Sequence, residues 1–509
     1  MTTPAQRSRL WPAALAGVIA VGSGLAIGEL VATMVSPDAA PFVAVGSAVV
    51  DRTPTLVREW VITTFGTSDK LALFVGMGVV IALLAAECGV AERRRPPAGV
   101  MIVVLFGVLG VGAALDRPTA VWTYAIPSAA AAVVALIVLR VLVGMLRGSS
   151  VSGEAEGVTR RFVLTAGGII ALAVVAGGVG RRMLADTTRT VADRLAVRLP
   201  APRSASKPIP AGVEVADATS FVTSNSDFYR IDTALRLPSL TTADWELRIH
   251  GMVDRELRVR WTDLLSMDLI ERYVTLTCVS NEVGGDLIGN ARWLGVPMKT
   301  LLDRVGVHAG ADMLLSTSSD GWTCGTPVSV VADGRDAMLA IGMNGVALPV
   351  EHGYPVRQVV PGLYGYVSAT KWVVDWELTR FADATAYWTD RGWSAIGPIK
   401  LASRIDRPRS SASFAPGDVV VAGTAWSQHV GVREVQVRID DGPWRTADVA
   451  TEYSRDTWRQ WHYTWAATPG KHTVTCRAID ADGRAQIETP SSPIPNGATG
   501  LDMRRFTVE

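Results

Sequence analysis

Tyr273-Val274-Thr275-Leu276-Thr277-Cys278-Val279-Ser280-Asn281 is a run of aromatic and β-branched side chains that stops at a cysteine and a small polar turn. Those residue types favour an extended strand, and Cys278 sits where the strand gives out. In isolation such a cysteine is either an inert buried thiol or a metal ligand. Around it, residues 245–249 read as another strand before Gly251. Trp261–Leu265 and 296–304 read as helices, the latter with Pro297 in its first turn. The mixture predicts an α+β domain over 216–400.

Downstream the pattern changes. Val435-Gln436-Val437-Arg438-Ile439 alternates into the turn Asp440-Asp441-Gly442, and residues 472–478 lead to Asp482-Gly483. Short alternating runs, hairpin signals and Trp444, Trp458, Trp461 and Trp465 predict an immunoglobulin-like β-sandwich over 405–509, with these tryptophans in its core.

Upstream, residues 183–215 contain Leu199-Pro200-Ala201-Pro202 and Lys207-Pro208-Ile209-Pro210, the composition of an extended tether. Before it the chain is strongly apolar. Only 19% of the 509 residues are charged, mean hydropathy is positive at +0.25, and the excess lies before about residue 183. Apolar stretches near 11–35, 70–90, 99–116, 120–143 and 162–180 each match the ~30 Å of a bilayer core. They do not alternate as barrel strands would, so residues 1–182 are expected to form an all-α region of about five transmembrane helices. The segment holding Pro37, Pro41 and 43–50 is expected to dip into the membrane without crossing.

Arg7 and Arg9, then Arg93, Arg94 and Arg95, then Arg140, Arg147, Arg160 and Arg161 fall on one side if five helices cross. The positive-inside rule makes that side cytoplasmic and leaves the later domains outside, opposed mildly by Arg181 and Arg182. Thr159-Arg160-Arg161-Phe162-Val163-Leu164 resembles a twin-arginine export signal placed internally, although paired arginines before a membrane helix are also ordinary topogenic charge. The first histidine is His250, so the membrane region cannot supply paired axial histidines to haem. Glu29 and Glu87 either line a proton or subunit contact or sit near the interface. A net charge of +1 without a basic tract gives no reason to expect nucleic acid. Cys88, Cys278, Cys324 and Cys476 are too scattered for a disulfide scaffold or zinc ribbon. They read as separate thiols, with a Cys324–Cys476 bridge as the alternative.

Three blocks in order, YVTLTCVSN at 273–281, GNARWLGV at 289–296 and MNGVALPVEHGYPVRQVVPGLYGYVSATKW at 343–372, resemble the catalytic domain of the sulfite oxidase and periplasmic molybdopterin-dependent oxidoreductase superfamily, here in a membrane-anchored bacterial form. GTAW at 423–426, the DGPW turn and RAIDADG at 477–483 resemble that family's C-terminal dimerisation domain. The resemblance covers about 220–505. It implies molybdenum held by one pyranopterin and by Cys278, whose thiolate suits a high-valent metal. It assigns the pterin to His352, Arg357 and Lys371, with Arg230, Asn281, Asp320, Thr323 and Ser368 as further contacts, and with Gly362 and Gly365 allowing close backbone approach. Asp320 equally suits a simple turn, and Asn290 and Arg292 either bind or organise their loop.

The departures from the family bear on substrate. Where sulfite oxidases carry Asn-Arg-Arg after the metal cysteine, this chain has Asn281-Glu282-Val283, and the segment 366–370 lacks the family's arginine. An acid near the pocket repels an oxyanion, so the expected reaction is reduction of a small S-oxide or N-oxide, with Glu282 touching substrate. Sulfite oxidation is the alternative, and a non-catalytic membrane-tethered binding or assembly protein a third. No C-x-x-C-H haem motif occurs. The expected partners are therefore a separate redox carrier, a small oxide or oxyanion, the lipid bilayer of the plasma membrane and a second copy of the chain.

Overall fold

The computed structural model describes residues 10–54, 57, 60–61, 64–65, 69–117, 119–151, 160–184 and 188–509. The chain forms two compact units, Met1–Thr187 with Ala234–Arg236, and Thr188–Thr233 with Leu237–Glu509. Arg7, Arg9 and Thr159 lie outside the described residues.

In the first unit five helices are long and apolar enough to cross a membrane. They are Trp11–Ala32, Asp69–Arg94, Ala98–Leu115, Ala125–Val151 and Arg160–Leu184. Their outward faces carry Leu83, Leu105, Val108, Leu172 and Val174, an arrangement stable in hydrocarbon. Pro41–Arg52 is a helix of 12 residues, about 18 Å at 1.5 Å per residue and too short to cross.

Small residues bring the helices together. A Cβ on Gly17 would lie 1.9 Å from the Ala85 carbonyl, and one on Gly89 would lie 1.8 Å from the Ala13 carbonyl, so Trp11–Ala32 and Asp69–Arg94 touch through their backbones. Gly24 meets Ala131 in the same way. Buried Glu92 accepts from the Val100 amide at 3.1 Å and lies 3.9 Å from Arg147. Glu87 is exposed. Glu29 is buried and bonded to Arg236 of the same unit at 3.0 Å.

The second unit opens with the helix Thr188–Ala196, so 183–215 is not an extended tether throughout. Two sheets follow. One has the order Ile270–Thr277, Ile288–Pro297, Met338–Met343, Val346–Ala347, with Arg357–Val359 also paired to the third strand. The other has the order Leu257–Arg260, Glu246–Gly251, Val373–Thr379, Met313–Ser318, Thr323–Pro327. With the helices Trp261–Leu265, Met298–Val305 and Val328–Ala332 they make an α+β domain. Its buried tryptophans all have a partner for the indole N–H. Trp245 donates to the Val373 carbonyl, Trp293 to the Val274 carbonyl and Trp376 to Gln358. The helix expected from 296 begins at Met298, because 296 and 297 still pair with Leu339 and Met338 as strand. It ends at Gly306, whose φ of +70° suits a glycine stop.

The last hundred residues form a four-stranded sheet, Ala402–Arg407, Gly417–Trp426, Arg459–Ala467, Asp448–Val449, and a five-stranded sheet, Ser413–Phe414, Met503–Val508, Gly470–Asp480, Val432–Ile439, Arg445–Thr446. Both contribute to one core that includes Val421, Trp461, Val437, Val474 and Phe506. Only Trp458 and Trp461 of the four expected core tryptophans are fully buried. Trp465 packs at the core's margin. Trp444 is held between the guanidiniums of Arg438 and Arg477, 4.7 and 4.3 Å from its ring. All four cysteines are free thiols.

Gly17→Leu is expected to break the first unit. The added side chain meets backbone, and overpacking of this kind costs about 1–3 kcal/mol or more. Thermal melting in detergent should show a clear fall for Gly17→Leu and none for Gly76→Leu, whose added carbon would meet nothing within 4 Å.

Candidate active site

Cys278 follows the strand Ile270–Thr277 directly, and the next residues form a tied loop. Its amide donates to the Leu287 carbonyl at 2.9 Å, and its carbonyl accepts from the Asn281 amide at 3.1 Å. Asn281 Oδ1 accepts from the Leu287 amide at 2.9 Å, and a Cβ on Gly285 would fall 2.6 Å from that oxygen. Asn281 thus spends its acceptor on the loop. The C-terminal sheets grip the same loop from outside. Arg404 donates to the Gly285 carbonyl at 2.9 Å and Arg504 to that of Gly284 at 3.1 Å. Behind the strand, the Trp458 amide donates to Thr275 Oγ1 at 2.8 Å. The cysteine is therefore held by both β regions of this unit. Burial pushes its thiol pKa up, opposed by hydrogen bonds at Ser280 and the charge of Lys371.

The block 343–372 supplies the charged part of the site. His352 closes a 3₁₀ turn, Val350–His352, and is followed by Gly353 at φ +108°. A Cβ there would lie 3.0 Å from Arg357 Cβ and 3.1 Å from Lys371 Cα, so only glycine lets the two cationic segments close on the histidine. His352 is buried, and its Nε2 lies 3.1 Å from the Asn225 carbonyl. A carbonyl only accepts, so Nε2 carries the proton and Nδ1 is left as an acceptor. That buried Nδ1 has no partner. Burial, with Arg357 and Lys371 nearby, pushes the ring's pKa down to about 3, which keeps it neutral.

Arg357 lies 5.0 Å over the Trp293 ring and donates to the His352 carbonyl at 3.1 Å. It is 4% exposed, and among the described residues no carboxylate lies within ion-pair distance. Burial brings its pKa down to about 10. Lys371 donates to Asp232 at 3.2 Å and to the Glu351 carbonyl at 3.0 Å. Burial outweighs the attraction of Asp232 and brings this lysine down to about 8. Arg230 shares the same carboxylate oxygen at 2.9 Å. Three cations thus converge on one acid, which leaves a buried excess of positive charge.

Other expected contacts are engaged elsewhere. Asp320 accepts from the Trp322 amide at 3.1 Å in a turn completed by Gly321 at φ +87°. Thr323 Oγ1 accepts from the Tyr387 amide at 2.9 Å. Ser368, fully buried, donates to the Leu363 and Tyr364 carbonyls at 3.1 and 2.9 Å. Asn290 braces Thr275 and Phe221, and Arg292 lies 3.5 Å from Glu271. A Cβ on Gly362 or Gly365 would meet no backbone closer than 3.6 Å, the former at φ +85°. Glu282 is exposed and borders a small cleft with Asn281, Tyr364, Trp426 and Gln486.

Tyr229 was passed over in favour of its neighbour Arg230. Its hydroxyl is close to Gly365, and the charges of Cys278 and Arg357 both act on it. Tyr364 is also near Cys278, and burial raises its pKa to about 12. A phenol buried beside a thiol and a cation marks the first of these, but one aromatic in FYRID does not stand out in the sequence.

Residues 234–388 match the family model described as the oxidoreductase molybdopterin binding domain. The chain therefore carries a molybdopterin-binding, sulfite-oxidase-like oxidoreductase domain alongside N-terminal membrane-spanning helices, and it is a molybdenum-dependent oxidoreductase. It is 27% identical to the sulfite oxidase of Gallus gallus, over 53% of this chain and 69% of that one. It is 26% identical to the mitochondrial sulfite oxidase of Homo sapiens, over 53% of this chain and 58% of that one. The chain thus spans only part of the length of these relatives. The sulfane dehydrogenase SoxCD of Paracoccus pantotrophus shares the fold, with a TM-score of 0.50 at 23% identity over 57% of this chain and 84% of that one.

The residues present fit a molybdenum pyranopterin. Among the described residues no three His, Cys, Asp or Glu side chains cluster to hold a metal by themselves. One protein thiol, an orphaned imidazole nitrogen and an excess of buried cations instead match a group that brings its own sulfur ligands and its own phosphate.

Removing a buried cation should help the empty protein and harm the loaded one. In the folded state Lys371 binds its proton more weakly than the ordinary 10.5. Stability of cofactor-free protein should therefore rise with pH between about 8 and 10.5, with the penalty fully present below about 8. Lys371→Met is expected to abolish that rise in thermal melting. Molybdenum per chain should fall about tenfold or more in the same variant, as for loss of a supporting contact.

Proposed function

We propose that this chain is a membrane-anchored dehydrogenase of the sulfite oxidase type, oxidising a small sulfur oxyanion and passing electrons to a separate carrier. The observation that carries this reading is the buried positive excess of Arg230, Arg357 and Lys371 against Asp232, near Cys278. The named activity of the sulfite oxidase relatives supports the same direction. Reduction of an S-oxide or N-oxide rested on Glu282 turning towards substrate. Its exposed place beside Trp426 and Gln486 weakens that argument, while the absence of the family's arginines after Asn281 still favours it.

In this reading Cys278 ligates molybdenum. His352 offers Nδ1 to a pterin donor, Arg357 and Lys371 hold the phosphate, and Arg230, at the exposed edge of the cluster, draws the anion in. The bound cofactor supplies a metal that accepts two electrons and an oxygen site for transfer. Asn281, Ser368, Asp320 and Thr323 keep the surrounding turns in place, and Glu282 borders the approach.

The wider assignment follows the same logic. Residues 1–182 anchor the protein in the plasma membrane, 183–215 connect, 216–400 hold the cofactor, and 405–509 form an immunoglobulin-like sandwich that pairs two copies. The arginine distribution supports catalytic domains outside the cell, and the paired Arg160 and Arg161 support export of a folded, cofactor-loaded domain.

Cys278→Ser is expected to cut turnover by roughly a hundredfold or more while leaving the melting profile nearly unchanged, since one metal bond is lost and many hydrogen bonds remain. Full activity of this variant would overturn the ligand assignment. For substrate, sulfite oxidation should be compared with reduction of methionine sulfoxide, dimethyl sulfoxide and trimethylamine N-oxide, using artificial electron carriers. Sulfite turnover exceeding every oxide is expected. The reverse order would move the chain to the reductase reading and leave the metal site standing.

A further inference from the structure

The membrane unit contains a cavity of about 500 Å³, bounded by the helices Trp11–Ala32, Asp69–Arg94 and Arg160–Leu184. That volume lies within the range of ligand pockets, about 300–1,000 Å³. Along the first helix its lining runs from Val18 to Glu29, about 16 Å at 1.5 Å per residue. The lining is apolar except for Glu29 and Arg181. Both belong to one end, because a Cβ on Gly180 would lie 2.8 Å from Leu30 N and 3.0 Å from Glu29 C. The cavity is therefore a long apolar slot with its polar groups at one end, the outline of an amphiphile.

Two further observations bear on the occupant. Glu29 is 5% exposed, with Oε2 bonded to Arg236 at 3.0 Å, and its Oε1 has no hydrogen-bond partner among the described residues. Arg181 is exposed and likewise has no partner among them. Gly22, Gly78 and Gly178 line the slot, yet a Cβ on any of them would meet nothing within 4 Å. Helix packing does not require glycine there, unlike at Gly17 and Gly89, and a glycine inside a helix is unfavourable by about 1 kcal/mol. Their effect is to widen the slot.

We propose that this slot binds a lipophilic quinone or quinol, with the isoprenoid tail between the helices and the ring at Glu29 and Arg181. A carboxylate oxygen accepts from a quinol hydroxyl and a guanidinium donates to a quinone carbonyl, so the pair suits a neutral ring that offers both. A phosphate headgroup would be set against the Glu29 carboxylate. The proposal gives Arg181, which runs against the arginine distribution of the other loops, a part in ligand binding. It goes beyond the molybdenum reading and does not depend on it.

The test uses full-length, cofactor-loaded protein in detergent, equilibrated with decylubiquinone, with bound quinone counted after solvent extraction. Saturable binding near one per chain is expected. Gly22→Leu with Gly178→Leu, which fills the slot where space is open, should weaken binding at least tenfold, and Glu29→Gln should weaken it less. Gly112→Leu, open at its Cβ but not part of the slot, should bind as wild type. Molybdenum content stays at the wild-type level in all four proteins, which separates this result from any failure of the catalytic assignment. Quinone that only partitions without saturating in the wild type overturns the proposal, whatever the variants do. So does equal affinity in the filled variant, or a co-purified phospholipid that quinone cannot displace and that the filled variant loses.

Discussion

Charge burial governs the catalytic unit. Arg357 has no carboxylate within ion-pair distance among the described residues, and Lys371 shares its single acid, Asp232, with Arg230. Uncompensated cations in a dry interior are among the least favourable arrangements a fold can hold. The surroundings are built to tolerate it. Trp293 presents its ring face to Arg357, carbonyls of His352 and Glu351 turn inwards as acceptors, and the histidine stays neutral. What these devices leave over is a positive pocket with one orphaned acceptor, His352 Nδ1. A phosphate-bearing cofactor relieves both deficits, so the chemistry of the ligand can be read from what the protein lacks.

The cysteine depends on a separate network. Strand Ile270–Thr277 is buttressed by Trp458, and its following loop is held by Arg404 and Arg504. The C-terminal sheets thus have a local structural role at the metal-binding loop. Gly284 shows how tight this is, since a Cβ there would lie 2.4 Å from Asp502. In the membrane unit the governing contact is different, backbone against backbone at glycines, as expected where hydrocarbon solvates side chains too well for apolar burial to drive association.

Elements with strong periodicity or composition were legible in the sequence. The five apolar helices, the strand ending at Cys278, the helix Trp261–Leu265 and the strands around 435–439 and 472–478 all lie where residue pattern placed them. Boundaries set by tertiary pairing were not, as with Val296 and Pro297, which a neighbouring strand keeps extended. His352, Arg357 and Lys371 were found because their motif is long. Tyr229 and Asp232 were missed because their importance comes from convergence of distant segments on one charge cluster, which no local pattern records. Trp444 was misplaced for a related reason: a tryptophan in a strand-rich region reads as core, and only the fold reveals arginines on both of its faces. Asn281 and Ser368 resemble ligands in sequence, yet their polar atoms are occupied by the turns they stabilise.

The central claim is that one protein sulfur, that of Cys278, completes a molybdenum site otherwise supplied by the cofactor. Molybdenum-edge X-ray absorption on protein from cofactor-replete cells addresses it directly. The account predicts a metal with a sulfur shell that loses one scatterer in Cys278→Ser while its oxygen shell persists or grows. An unchanged sulfur shell in the variant, or a wild-type protein that binds no molybdenum, would contradict it.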